Sequence, residues 1–322
     1  MPQMVIDSLQ HRAVSIADDA QREALALLAL GATKGVGYRV LHRIFEAGVR
    51  FSTVLAQSGE DSLREVLEGV NLKNAKSLAR AIVAERQTTM PRAVAMADRL
   101  SGDGIRLIHA FEADFPRHLL KIPNSPGWLF VEGNLAVLAR PLVAVVGTRT
   151  PSSSGRFLTE CVCRILADTD IGTVSGLAAG IDEMVHQLSV SLGLPTVAVL
   201  GTGILRDYPA HSRPMRDAIV RHGGCVLSEY LPEEGPGKES FVWRNRLQAG
   251  LASVVIPTEW QIASGTAHTV NFALKAGKPV VGVHTTRLPS ETSKFLTERQ
   301  NLAFRMPAES MDLLEHVCRV LQ

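Results

Sequence analysis

Apolar positions recur with a helical period through the first hundred residues, and beyond residue 104 they gather into short extended runs. Residues 1–20 are polar and mixed, which reads as a flexible N-terminal tail. Leu25, Leu28 and Leu30 then lead into Gly31-Ala32-Thr33-Lys34-Gly35-Val36-Gly37, and Val40, Leu41, Ile44 and Phe45 follow at helical spacing. Helix, Gly-x-Gly turn and helix outline a helix-hairpin-helix. Its glycines would let backbone amides approach a nucleic-acid phosphate, with Lys34 and Arg39 beside them; a plain turn in a helical bundle suits the same residues. Further helices are predicted over 52–57, 60–68, 73–86 and 91–100, the third with Ala75, Leu78, Ala79 and Ile82 on one face. Ser101-Gly102-Asp103-Gly104 ends this pattern. An all-α domain over 21–100 is predicted, with a boundary between 88 and 104 and a second domain over 105–322.

The second domain alternates. Extended apolar runs at 105–108, 128–131, 142–147, 172–175, 196–200, 225–228, 253–257 and 279–283 are interleaved after residue 147 with helical patterns at 155–168, 180–192, 212–222, 241–250 and 266–276, and a last helix is predicted over 308–321. Strands separated by helices of this length predict an α/β fold with a doubly wound, mainly parallel sheet. Right-handed crossovers then bring the strand C-terminal ends, and the loops that follow them, to one edge of that sheet.

The glycine-rich and polar residues of this domain fall in those loops. Gly147-Thr148-Arg149 runs through Ser152 and Gly155 into a helix, a place where backbone amides meet anions, and Arg149 adds a cation. Ser175-Gly176 leads to Asp182 and His186, and Gly201-Thr202-Gly203 to Asp207-Tyr208-Pro209. Phe241-Val242-Trp243-Arg244-Asn245-Arg246 places two guanidiniums close together, and Ser264-Gly265-Thr266 opens a helix. Taken singly, the Gly-Thr-Gly is a tight turn, Ser264 and Asp182 are helix caps, His186 is a packed histidine, and Phe241 and Trp243 are core aromatics. Together the loops predict an anion-binding groove.

Composition narrows this picture only slightly. A net charge of +2 neither announces nor excludes nucleic acid, and aromatic residues at 5% leave few stacking surfaces. Cys161, Cys163, Cys225 and Cys318 form no CxxC pair and lack companion histidines at zinc spacing, so reduced thiols and no metal are expected. No leader pattern opens the chain and no apolar run reaches about 18 residues, so a cytoplasmic protein is expected. The sequence has no Gly-x-Ser-x-Gly elbow, no His-Glu-x-x-His, no Walker A lysine and no complete Gly-x-Gly-x-x-Gly, and binding without a catalytic residue or cofactor is expected.

The order of these motifs resembles the DNA-processing protein A (DprA, or Smf) family. The matching pieces are FPRHLLKIPNSPGWLFVEGN (115–134), VAVVGTRTPSSSG (143–155), VSGLAAGIDEMVH (174–186), TVAVLGTGILRDYP (196–209), LSEYLP (227–232), FVWRNRLQAGLASVVIPTE (241–259) and SGTAHTVNFALKAGKPVVGV (264–283). The resemblance implies a Rossmann-like core preceded by a sterile-alpha-motif-like helical domain. It also implies single-stranded DNA binding, homodimerisation and delivery of DNA to the recombinase RecA in natural transformation or recombination. Carried over by position, Gly147, Thr148 and Arg149 would form a phosphate pocket walled by Ser175 and Gly176. Gly203, Ser264, Gly265 and Thr266 join the site on the reading of the converging loops given above. Arg244 and Arg246 would hold phosphates, Phe241 would offer its face to a base, and Asn245 would fix the loop. Two departures stand out. Ala179 occupies a position where the family has arginine, and after Val283 the family's Pro-Gly and Ser-x-Gly-x-Asn segment and the winged-helix domain of many members lack a counterpart. A nucleotide-cleaving enzyme of the lysine-decarboxylase-like phosphoribohydrolase type is the alternative, although the loop Glu259 to Thr266 lacks that family's Pro-Gly-Gly-x-Gly-Thr signature. A defence-associated DNA sensor and a partner-docking protein are two more.

Overall fold

The computed structural model describes residues 18–321, so the tail expected over 1–20 lies outside the described residues up to residue 17, and residues 18–20 already begin a helix. The chain forms two compact units. One comprises the chain up to Phe115 with Pro126–Phe130, the other Pro116–Ser125 with the chain from Val131.

The first unit contains α1 (18–31), α2 (Tyr38–Glu46), α3 (Phe51–Ala56), α4 (Glu60–Gly69), α5 (Ala75–Gly102) and strand β1 (Ile105–His109). Leu27, Leu30, Leu41, Ile44, Val54, Leu63, Leu67 and Ile82 are buried, and Trp128 packs edge-on to Phe51 at 5.5 Å. Glu23, itself buried, accepts hydrogen bonds from the backbone N–H groups of Phe51 and Ser52 at 3.0 Å, so a carboxylate from α1 caps α3. In the Gly-x-Gly turn, the Lys34 N–H donates to Glu85 on α5 at 3.0 Å and Gly35 takes φ +87°, a left-handed value suited to glycine. That amide is therefore satisfied within the unit.

A break was expected near Pro91, yet α5 runs through it for 28 residues. Proline removes one hydrogen bond, but Thr89 and Ala93 on either side are buried, and packing overrides the local signal.

The second unit is built on β2 (Trp128–Gly133), whose first residues belong to the other unit, and on β3 (Leu142–Gly147), β4 (Gly172–Ser175), β5 (Thr196–Val199), β6 (Cys225–Ser228) and β7 (Val254–Glu259). Between them lie α6 (Ser153–Leu166), α7 (Ile181–Leu192), α8 (Arg213–Arg221) and α9 (Lys238–Leu251), and α10 (Gly265–Lys275) follows β7. Strand order is β1-β2-β6-β5-β4-β3-β7. Pairing is parallel at β3–β4, β4–β5, β5–β6 and β3–β7, as the alternating pattern predicted. Connections step from β3 outward to β6, and α9 then carries the chain back to the other side of β3. The order reverses between β3 and β7, which opens a crevice at their C-terminal ends.

Valines at 143 and 145 pack with Leu158, Val162, Ile181 and Val185 on one face of the sheet, where α12 (Ser310–Leu321) joins through Leu313 and Val317. The extended run expected at 279–283 makes only a single bridge to β7, Val280 with Val255. Its end forms β8 (Gly282–His284), which pairs with β9 (Ala303–Arg305) in a separate two-stranded sheet, with α11 (Ser290–Thr297) between them. All four cysteines are free, and burial pushes the Cys163 thiol up to about 12. Among the described residues no helix is long and apolar enough to cross a membrane.

Candidate nucleic-acid interface

The Gly147-Thr148-Arg149 turn is held from two sides. Thr148 N–H donates to the Glu259 carbonyl at 2.8 Å, and the Thr148 carbonyl accepts from Ile181 N–H at 3.1 Å. A Cβ on Gly147 would stand 2.6 Å from Ile181 Cγ1, and one on Gly180, at φ +89°, would stand 2.5 Å from the Arg149 carbonyl oxygen. Neither position has room for a Cβ, so both close approaches depend on glycine. The Arg149 side chain is exposed and has no carboxylate partner among the described residues.

The start of α6 corrects an expectation. Its Ser152 Oγ accepts from Gly155 N–H at 3.1 Å, and the Glu259 carboxylate accepts from Ser152 N–H at 2.8 Å. The helix end foreseen as a phosphate cradle is filled by the chain's own anion.

The open helix start is that of α10. Ser264 precedes it without a side-chain cap, its Oγ donating instead to the Gln261 carbonyl at 2.6 Å. Gly265 and Thr266 N–H have no acceptor among the described residues. No acidic residue occupies the first turn. Ser264, Gly265 and Thr266 line a cleft of about 850 Å³ between the β3 turn, the beginning of α9 and the beginning of α10. Of the residues foreseen for the site, Gly147, Thr148 and Arg149, Phe241, Arg244 and Asn245, and Ser264, Gly265 and Thr266 line this cleft.

The other four do not line it. Ser175 is buried, its hydroxyl donating to the Val145 carbonyl at 2.8 Å. Gly176 lies beneath Arg244 and Asp182, where a Cβ would fall on the guanidinium. Gly203 is packed against the Leu231 and Pro232 carbonyls. Arg246 was foreseen as a phosphate ligand, but its guanidinium is 2% exposed and forms a two-pronged ion pair with buried Glu229. It also donates to the Asn124 carbonyl at 2.9 Å and sits over the Trp243 ring at 4.5 Å. A fork occupied in this way has nothing left for a phosphate.

Arg244 is buried too, donating to the Gly176 carbonyl at 2.7 Å and to the Val199 carbonyl. Its Nε has no hydrogen-bond partner among the described residues. Asp182, at the start of α7, accepts from Gly176 N–H at 3.1 Å; burial pushes its carboxyl up while Arg244 opposes the shift. His186, one turn along α7, is fully buried with Nδ1 2.9 Å from the Thr196 hydroxyl, and burial lowers it to about 3. It is a packed residue and does not line the cleft.

Sequence reasoning passed over Asp182, Tyr208, Lys238, Gln248 and His268 as site residues, yet all line the cleft. Lys238, Phe241, Arg244 or Asn245, and Gln248 recur at helical spacing, so the period of α9 held the signal for two of them. Tyr208 and Asp182 carried no such periodic mark. Among the described residues no group of three metal-ligating side chains comes together.

A doubly wound, mainly parallel sheet with a cleft at its switch point defines a Rossmann-like fold. The chain belongs to the DNA recombination-mediator protein A family, whose model matches residues 106–317. It is 40% identical over 169 residues to the DNA processing protein DprA of Streptococcus pneumoniae, covering 52% of this chain and 59% of that protein. Protein Smf of Escherichia coli is 34% identical over 174 residues, covering 54% of this chain and 46% of its own. The chain thus matches about half the length of these relatives. Among solved structures, DNA processing protein A of S. pneumoniae superposes with a TM-score of 0.67 at 28% identity, covering 88% of this chain and 95% of that one. The Helicobacter pylori protein, whose structure concerns its single-stranded DNA binding mode, gives 0.57 at 26% identity over 66% of this chain and 96% of its own.

Proposed function

We propose that this protein binds single-stranded DNA through its phosphate backbone at the cleft between β3 and β7, without catalysing a reaction on it. The observation that carries the reading is the pairing of exposed, unpartnered Arg149 with the open N-terminus of α10, which give one cleft both a cation and free backbone donors. Exposed Lys238 adds charge to the same lining. Kinship with the relatives above supports DNA as the ligand. Self-association, handover of the strand to a recombinase of the RecA kind and a cytoplasmic site of action complete the proposal.

Fluorescence anisotropy with single- and double-stranded oligonucleotides at two salt concentrations tests it. Single strands are expected to bind with little sequence preference and an affinity that falls with salt. Arg149→Ala, which removes one phosphate contact, is expected to reduce the log–log salt slope by about 0.7. Unchanged affinity and slope in Arg149→Ala would remove the cleft from the account. Release of free base from a nucleoside monophosphate would assign the cleft to an enzyme instead.

A further inference from the structure

A second group of cations gathers at the far end of α10, away from the cleft that its first residues line. At about 1.5 Å per residue, the 11 residues of α10 put the two ends about 16 Å apart. The helix stops at left-handed Gly277, φ +67°, and the Lys278 N–H returns to the Ala273 carbonyl at 2.9 Å, which fixes Lys278 close to exposed Lys275. The Lys278 ammonium donates to the Ala252 carbonyl at 2.7 Å and the Gly250 carbonyl at 3.4 Å, at the end of α9. The short 3-10 helix Arg117–Lys121 reaches the same place from another direction, since a Cβ on Gly250 would stand 2.8 Å from both Leu119 Cδ2 and Ile122 Cδ1. Lys121 and His118 therefore join Lys278 there. Burial lowers the Lys278 pKa and Lys121 lowers it further, while burial, Lys278 and Lys121 together bring His118 down to about 4.

Helix capping explains part of this group. Lys278 satisfies carbonyls that α9 leaves open, and Lys275 complements the α10 dipole. Three features go beyond it. An ammonium carries three donors, and Lys278 spends two on those carbonyls. Lys121, Lys275 and Lys278 have no carboxylate partner among the described residues. His118 Nε2 is buried there without a hydrogen-bond partner. Like charges gathered without a counterion repel one another, and an anion relieves them. The surface joining this group to the cleft is of one kind. The exposed residues of α10 are Gly265, His268, Asn271 and Lys275, a single stripe at helical spacing on a helix without an acidic residue. Gly265 and His268 line the cleft. The stripe thus runs from the cleft to the lysines without a negative charge of its own.

We propose that a single strand longer than the cleft continues along the exposed face of α10 and sets a further phosphate on Lys275, Lys278 and Lys121. The proposal rests on the single-strand reading above and adds a second contact outside the cleft. It makes affinity depend on strand length. A short strand reaches the cleft alone, whereas a longer one gains about one or two phosphate contacts at the lysines and a correspondingly steeper salt dependence.

The test uses the full chain with two fluorescent thymidine oligonucleotides, one of about 4 and one of about 16 residues, titrated at several salt concentrations. The wild-type protein is expected to bind the longer strand more tightly and with the steeper log–log salt slope. Lys121→Gln/Lys275→Gln is expected to reduce that slope by about 0.7–1.4 on the longer strand and to leave the shorter one unchanged. Lys278 stays in place as the α9 cap. Both substituted side chains are exposed, so the variant folds, and thermal melting verifies it. Arg221→Gln, which removes an exposed charge from α8, should match wild type on both strands and controls for net charge. An unchanged slope in the double variant overturns the inference and leaves the cleft reading intact, as does an equal loss on both lengths or an equal effect of Arg221→Gln. No wild-type binding to either strand overturns both.

Discussion

Replacing Arg246 by alanine leaves the Glu229 carboxylate buried at 1% exposure with its two-pronged partner gone. Removing one member of a buried pair typically costs about 3–5 kcal/mol, because the remaining charge keeps its desolvation cost and loses its attraction. The hydrogen bond to Asn124 and the stacking on Trp243 disappear with it. For a unit of this size roughly 2–4 °C accompany each kcal/mol, so a fall in melting temperature of about 6–20 °C is expected. The double variant Glu229→Leu/Arg246→Met should recover much of it, since an apolar pair of similar volume leaves no stranded charge. Thermal and urea unfolding followed by circular dichroism measure these differences. Oligonucleotide affinity, measured well below the transition, should be close to wild type in both variants. A variant Arg246→Ala that melts like wild type but binds DNA weakly would refute the reasoning and return Arg246 to the phosphate site. Arg149→Ala should behave the opposite way, with stability unchanged within about 0.5 kcal/mol and affinity reduced.

Two more outcomes follow from buried groups. His186 is held neutral, its pKa lowered by burial and by nearby Arg244 to about 3 against 6.5 when exposed, so the unfolded chain takes up the proton first. Stability is then full above pH 6.5 and falls by about 1.4 kcal/mol per pH unit as pH drops toward 3. His186→Gln should flatten that slope in urea titrations, and an unchanged slope would place His186 in a solvated setting. Gly176→Ala should cost about 1–3 kcal/mol, because the added methyl meets Arg244 and Asp182. Gly265→Ala, which meets nothing within 4 Å, should stay within about 0.5 kcal/mol of wild type by the same unfolding assay.

Alternation of apolar runs and helical patterns made the parallel sheet legible, since β3 through β7 are buried strands whose run length and composition are local properties. Local signals misled where packing decides. Pro91 sits in a helix held by contacts at Thr89 and Ala93, and the chain past Gly277 turns away into β8 and β9 because three-residue strands leave almost no periodic trace.

At the site, residue type was a better guide than residue role. Arginines 149, 244 and 246 all looked like phosphate ligands, but arginine serves equally well to satisfy buried carbonyls and carboxylates. What separates them is the partner each finds elsewhere in the chain: Arg246 meets Glu229, Arg244 meets Gly176 and Val199, and Arg149 meets no carboxylate among the described residues. Glu259 makes the same point about helix ends. It comes from the end of β7, more than a hundred residues after the turn it fills, so nothing local to Ser152 and Gly155 reveals that their helix already has an anion. With the α6 start occupied from within, the proposed phosphate contact falls to the α10 start, whose first amides have no acceptor among the described residues. In that proposed mode the same carboxylate would limit how far a strand reaches along the β3 turn. A phosphate near α6 would, in the proposed binding mode, meet Glu259 as a like charge, which favours a path past Arg149 and the starts of α9 and α10 over one along α6.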